Sequence, residues 1–282
     1  MTISEAIKKG IIELKSEKVE YPMVKARILM QFVLNKSRQY IIVNDMKEIE
    51  ITAQKRYCEL IEKLKKGIPL EYITNKKEFM KLDFYVDENV LIPRQDTEIL
   101  VEEVIQIARK KGKISILDLC TGSGAIAVSL AKYLPEAQIT AVDISNGALQ
   151  IAKKNADDNN VQKQIEFIKS DMFENIKGKK FDIIVSNPPY IKHDIINNLD
   201  KQVKNEPHIA LDGGKDGLDF YRIIVKQALN YLKKSGYLCL EIGFDQKNSV
   251  IKLLEKQEYF NIIYSKKDLY GNDRIVVGGR KT

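Results

Sequence analysis

The chain has 282 residues, 44% hydrophobic and 30% charged, with 46 basic against 39 acidic side chains and a net charge of +7. That length predicts about two domains of ~150 residues each, and 15 Gly with 7 Pro are too few for a disordered or collagen-like chain. Three scattered cysteines, Cys58, Cys120 and Cys239, exclude a disulfide framework and a thiolate zinc site. The charged opening Met1–Lys9, and the lack of an apolar run near ~20 residues, predict a cytoplasmic protein without membrane association.

In chain order, residues 2–74 repeat apolar side chains three and four apart. Ile3, Ile7, Ile11 and Leu14 form one stripe, Val24, Ile28, Phe32 and Val33 a second, and Leu60, Ile61 and Leu64 a third. These periods predict three packed helices. Thr2 with Glu5 reads as a capping box, Pro22 opens the second helix, and Lys66-Gly67-Ile68-Pro69 stops the third. Residues 75–93 alternate loosely and predict a linking hairpin turning at Asp87-Glu88-Asn89. From residue 94 a helix carries Ile99, Leu100, Val104, Ile105 and Ala108.

Beyond Gly112, seven apolar runs alternate with helices: 114–119, 139–142, 165–168, 181–185, 237–242, 262–264 and 275–277. The pattern predicts an α/β fold, a mostly parallel seven-stranded sheet covered on both faces. Its last two runs, too close for a crossover helix, should pair antiparallel.

In such sheets ligands bind beyond the carboxyl ends of the strands. The first strand ends in Asp118-Leu119-Cys120-Thr121-Gly122-Ser123-Gly124, and the second in Val142-Asp143, about 20 residues on. Glycines between strand and helix admit a ligand to the backbone, and the second acid suits ribose hydroxyls. The pair predicts a nucleoside-bearing cofactor. Asp118 ahead of the loop would repel a pyrophosphate and favour a cation, which points to S-adenosylmethionine rather than a dinucleotide.

The fourth strand runs into Asn187-Pro188-Pro189-Tyr190. Two prolines cannot extend a sheet and bring no N–H groups. Asn187 adds a carbonyl oxygen and Tyr190 an aromatic face, so the tetrapeptide reads as a clamp for a planar amine or amide accepting a methyl group. His193 and His208 read as surface or loop residues.

Asn187–Tyr190 with the Asp118–Gly124 loop resembles the amino-methyltransferases of the Rossmann-like S-adenosylmethionine-dependent class. Leu91-Ile92-Pro93-Arg94-Gln95-Asp96-Thr97-Glu98, Glu206-Pro207, Ala210-Leu211, Gly213–Leu218 and Asp268–Arg274 narrow the resemblance to the peptide-chain release factor glutamine methyltransferases, the HemK/PrmC family. Gln95 stands where that family usually has a second proline, and Cys120 where glycine is common.

The resemblance implies a helical substrate-recognition domain over 1–74, the hairpin over 75–93 and a methyltransferase domain over 94–282. It implies a substrate, the glutamine of the Gly-Gly-Gln loop of class I release factors. Cys120, Thr121, Gly122, Ser123 and Gly124 would line the methionine part of the cofactor. Asp143 would hold the ribose, Asp171 and Met172 would flank the adenine, and Asn187 would sit beside the transferred methyl. Asn187, Pro188, Pro189 and Tyr190 would bind the substrate amide and carry catalysis, with no metal. The expected protein is a monomer with no direct nucleic-acid substrate. A ribosomal-protein glutamine methyltransferase and a DNA or RNA amino-methyltransferase are the rivals, the basic charge speaking for the latter. Most of that charge is dispersed lysine, which also suits a solvated surface.

Overall fold

The computed structural model describes residues 1–282, the side chain of Ile262 excepted. The chain divides into two units. One comprises Met1–Asn75 with Asp200–Asn205, the other Lys76–Leu199 with Glu206–Thr282.

The first unit is helical: α1 (Ile3–Ser16), α2 (Pro22–Leu34), α3 (Arg38–Val43), α4 (Ile51–Lys65) and α5 (Leu70–Thr74). Thr2 and Glu5 form the expected capping box, each side chain bonding the other's backbone N–H. Pro22 sits in the first turn of α2. On α1 the core takes Ile3, Ile7 and Leu14, and on α4 Tyr57, Leu60, Ile61 and Leu64. On α2 the expected stripe holds in part: Phe32 and Val33 pack half-buried against the core. Ala26, Leu29 and Met30 are buried, whereas Val24 is 54% and Ile28 36% exposed. α2 is apolar nearly all round, so its period does not single out one face. Packing chose the face carrying small Ala26, whose carbonyl accepts a hydrogen bond from the buried Tyr57 hydroxyl at 3.2 Å.

The second unit opens with an antiparallel hairpin, β1 (Lys77–Phe79) and β2 (Leu82–Phe84). It turns at Met80-Lys81, both in the left-handed region (φ 50° and 59°), the geometry of a two-residue hairpin turn. The expected turn at Asp87–Asn89 exists but joins no strands. Asp87 closes it by accepting from the Asn89 backbone N–H, and Val86 and Val90 are buried outside any sheet.

The main sheet holds β3 (Ser115–Leu119), β4 (Gln138–Asp143), β5 (Ile165–Lys169), β6 (Phe181–Ser186), β7 (Leu232–Glu241), β8 (Phe260–Lys267) and β9 (Asp273–Arg280) in the order 5-4-3-6-7-9-8. The neighbouring pairs from β5 to β7 are parallel. β9 is antiparallel to both its neighbours, because it inserts between β7 and β8 with Cys239 opposite Val277. The expected antiparallel pairing of the last two strands holds, and the insertion buries Ile275, Val276 and Val277 completely. Helices α6 (Asp96–Ala108), α7 (Ala125–Tyr133), α8 (Asn146–Asp158), α9 (Asp219–Tyr231) and α10 (Lys247–Glu255) complete the unit. The chain winds from β3 outward to β5, then returns to β6 on the other side. The carboxyl ends of β3, β4 and β6 therefore flank the switch point, where open α/β sheets hold ligands. No helix among the described residues is long and apolar enough to cross a membrane.

Candidate active site

A cavity of about 280 Å³ opens at this switch point. Its floor is made by strand ends. β3 delivers Cys120, held at φ 60°, and the turn after β5 delivers Met172 at φ 46°; their sulfur atoms lie 3.8 Å apart. Left-handed backbone explains why glycine suits position 120, since any Cβ there carries a steric cost.

Asp143, at the end of β4, organises the loop opposite. Its Oδ2 accepts the Gly122 N–H at 2.8 Å and its Oδ1 the Ser145 N–H at 2.9 Å. Burial pushes its carboxyl above the usual range, against those two bonds. A carboxylate has acceptor capacity beyond these bonds, and Asp143 lines the cavity together with Val142, Ile144 and Ala148. Gly124 closes the loop at φ 77° as the residue before α7. A Cβ there would stand 3.0 Å from the Cβ of Ala152, so glycine lets α7 and α8 approach.

Of the residues expected at the site, Cys120, Gly122, Asp143, Asp171, Met172, Asn187 and Pro189 line this cavity. Thr121, Ser123, Gly124, Pro188 and Tyr190 are not among its lining residues. Thr121 and Ser123 are 5% and 3% exposed and turn inward: the Thr121 hydroxyl donates to Asp118 at 2.6 Å and the Ser123 carbonyl accepts from Asn155. Asp118 itself is wholly buried and absent from the cavity wall. Asp118 thus makes no part of the cavity wall and anchors the loop from below through Thr121.

Burial pushes the Asp118 carboxyl up to about 7. A carboxyl with a raised folded pKa holds its proton more tightly when folded, so its ionisation weakens the fold as pH rises from about 4 to about 7. Asp118→Asn removes that dependence. Denaturant titrations of the variant and parent should diverge in the variant's favour by about 1–4 kcal/mol between pH 4 and pH 8. A difference that stays flat with pH would contradict the assignment.

The opposite wall comes from Leu91, Pro207 and Ala210, segments far apart in sequence. Glu206 ties them, its side chain 2% exposed: Oε1 pairs with Arg94 at 2.5 Å and Oε2 accepts the Ile92 N–H at 3.1 Å. Behind the tetrapeptide lies a strap, residues 213–217. A Cβ on Gly213 would come within 2.7 Å of the Tyr190 Cα, and one on Gly217 within 2.4 Å of its carbonyl oxygen. Only glycines let the strap lie flat on Tyr190.

Asn187 reaches the cavity as the first residue past β6, and its Nδ2 donates to the Thr97 hydroxyl at 3.2 Å. Tyr190 turns away from the cavity. Its hydroxyl lies 3.4 Å from the Glu241 carboxylate, and burial pushes its pKa well up. His193 and His208 are exposed, both beside Asp212.

A family model described as "Methyltransferase small domain" matches residues 95–263, and one described as "PrmC N-terminal domain" matches residues 5–74. The release factor glutamine methyltransferase of Clostridium acetobutylicum is 42% identical over 99% of both chains. The chain belongs to the release factor glutamine methyltransferase family. The family member of the same description from Moorella thermoacetica is 37% identical over 100% of this chain and 99% of its own. A crystal structure of a methyltransferase from Pyrococcus furiosus, 18% identical, superposes with a TM-score of 0.54 over 73% of this chain and 92% of its own, a likeness of fold. The chain is thus a methyltransferase, and its seven-stranded sheet is the fold that the alternation of runs predicted.

Sequence reasoning left out Ile144, Ser145, Ala148, Ser170, Pro207, Ala210 and Phe220, all cavity-lining. Ile144 and Ser145 follow the acid at a strand end and could have been found by extending that rule. Pro207 and Ala210 lay in a segment that matched the family without a role. Thr97 and Glu241 were also missed. A glutamate ending the apolar run Leu238-Cys239-Leu240 is itself a signal, because a charge at the carboxyl end of a central strand seldom serves packing.

Proposed function

We propose that this protein transfers a methyl group from S-adenosylmethionine to the side-chain amide nitrogen (N5) of the glutamine in the Gly-Gly-Gln motif of class I release factors. The observation that carries the reading is Asn187 at the cavity edge with its nitrogen already bonded to Thr97, which leaves its oxygen to accept from an amide N–H. When bound, the cofactor supplies a methyl activated on a cationic sulfur. The cavity suits it: Asp143 would accept from ribose hydroxyls, the lining residues Asp171 and Met172 would flank the adenine, and Val142, Ile144 and Ala148 offer apolar wall.

An amide nitrogen is a weak nucleophile because its lone pair is delocalised. An acceptor on its N–H bond, supplied by Asn187 at the cavity, pushes electron density toward nitrogen and aims it for in-line displacement. Tyr190 packs behind the clamp. The proton turns acidic only as the methyl arrives, so no basic side chain is needed at the start.

Residues 1–74 recognise the release factor as a second point of attachment. The exposed apolar side chains Met23 and Val24 on α2 support that role, being 50% and 54% accessible. Met23→Asp with Val24→Asp is expected to raise KM for the intact factor about tenfold while leaving transfer to a short Gly-Gly-Gln peptide unchanged. An unchanged KM for the intact factor would remove this face of α2 from recognition.

The decisive assay is labelled-methyl transfer to purified release factor, to the same factor with its motif glutamine changed to alanine, and to duplex DNA. Label in the first alone supports the proposal; label in DNA overturns it.

A further inference from the structure

The chain has two histidines in 282 residues, and both converge on one carboxylate. His193 Nδ1 lies 2.7 Å from Asp212 Oδ2, and His208 Nε2 lies 4.0 Å from the same oxygen. The three donor atoms all stand within 4.8 Å of one another. None of the three residues lines the cavity at the switch point, so methyl transfer leaves them without a task.

The backbone brings them together. His208 and Asp212 share one turn, in which the Asp212 N–H donates to the His208 carbonyl at 3.1 Å. His193 arrives on the segment that follows the tetrapeptide, and that segment pairs with the turn. The Ile191 N–H donates to the Leu211 carbonyl at 3.0 Å, and the His193 N–H to the Gly214 carbonyl at 3.0 Å. The carboxylate is aimed as well. Its Oδ1 accepts the Gly214 N–H at 2.9 Å, while Oδ2 faces both rings. A hydrogen bond on one oxygen orients a carboxylate that ligates through the other.

We propose that His193, His208 and Asp212 form a binding site for one divalent first-row transition ion of the zinc class. Two imidazole nitrogens and a carboxylate oxygen suit Zn²⁺ or Co²⁺, whereas Mg²⁺ and Ca²⁺ take oxygen ligands. Tetrahedral donors at about 2.0–2.1 Å from the ion stand about 3.3 Å apart. The 2.7 Å pair therefore opens and the 4.0 Å pair closes toward that value. The histidine side chains, 63% and 62% exposed, can swing to do so, and the Asp212 side chain at 21% is the fixed member. Water fills the fourth position. His208 stands between Pro207 and Ile209, which line the cavity, so the ion ties that wall to the segment after Tyr190.

The test titrates untagged protein with Zn²⁺ while following the imidazole ¹H–¹⁵N correlations by NMR. Two histidines give two ring systems, each identified by its loss in His193→Ala or His208→Ala. Both rings should shift together and saturate at one equivalent. Each variant should lower Zn²⁺ affinity at least about tenfold, read by competition with a chromophoric chelator. Both substitutions fall on exposed side chains, so the fold survives them. Co²⁺ reports the donor set: its d–d bands should appear without thiolate charge transfer, which separates this site from the cysteines. Excess Mg²⁺ should leave both rings unmoved.

Rings that stay in place at one equivalent of Zn²⁺ overturn the site. Parent-level affinity in both histidine variants, or a thiolate band with Co²⁺, does the same. An equal response to Mg²⁺ overturns the zinc class.

Discussion

Asn187→Ala is expected to abolish methyl transfer while leaving cofactor affinity within a few-fold. The side chain gives the clamp its one polar side-chain acceptor at the cavity, and it sits past β6 in a turn whose two prolines hold the backbone without it. Removing a preorganised acceptor of this kind costs about 10²–10³ in kcat. The loss should exceed that figure here, since the substrate amide has little reactivity of its own. Single-turnover transfer to the release factor, paired with calorimetry for the cofactor, separates the two quantities. Turnover near the parent value would sink the clamp. Loss of cofactor binding alongside turnover would instead place Asn187 mainly in the cofactor's grip.

The second large effect is expected at Asp143. Asp143→Ala removes both the acceptor aimed at ribose and the carboxylate that the Gly122 and Ser145 N–H groups share. Two half-buried donors then lose their partner, at about 1 kcal/mol each, and the glycine loop loosens at the edge of the cavity. Calorimetry should show S-adenosylmethionine affinity down by at least about a hundredfold, the equivalent of ~2.7 kcal/mol. Asp143→Asn separates the two contributions, because its amide oxygen can satisfy one N–H while its nitrogen meets the other. A variant with unchanged affinity would refute the ribose assignment.

Motifs that act through the backbone were legible because they leave marks in residue type. Gly122 reports a left-handed backbone, Gly124 a close approach to Ala152, and Gly213 and Gly217 a strap pressed on Tyr190. Periodicity was legible wherever one face alone is apolar, as on α1 and α4. It held only in part on α2, where Phe32 and Val33 pack on the core but Ala26, Leu29 and Met30 are buried in place of Val24 and Ile28. Asp118 shows the opposite failure. Its position in the chain matched a ligand-facing acid, but the strand pleat and the inward Thr121 hydroxyl turned it away from the cavity.

By itself, then, the sequence determined the class of the fold, the strand ends that carry chemistry, and the tetrapeptide with its acceptors. These depend on local propensity and short spacings, which travel with the chain. Only the tertiary structure decided that β9 inserts between β7 and β8, that Glu206 draws the segments at 92–94 and 206 together, and that Thr97 meets the Asn187 side chain. The side-chain pairings join residues 90 or more positions apart, and β9 meets β7 across an intervening helix and strand. A side chain's partner at such a distance is set by how the sheet closes and which face packs, and no periodicity in one segment records the other.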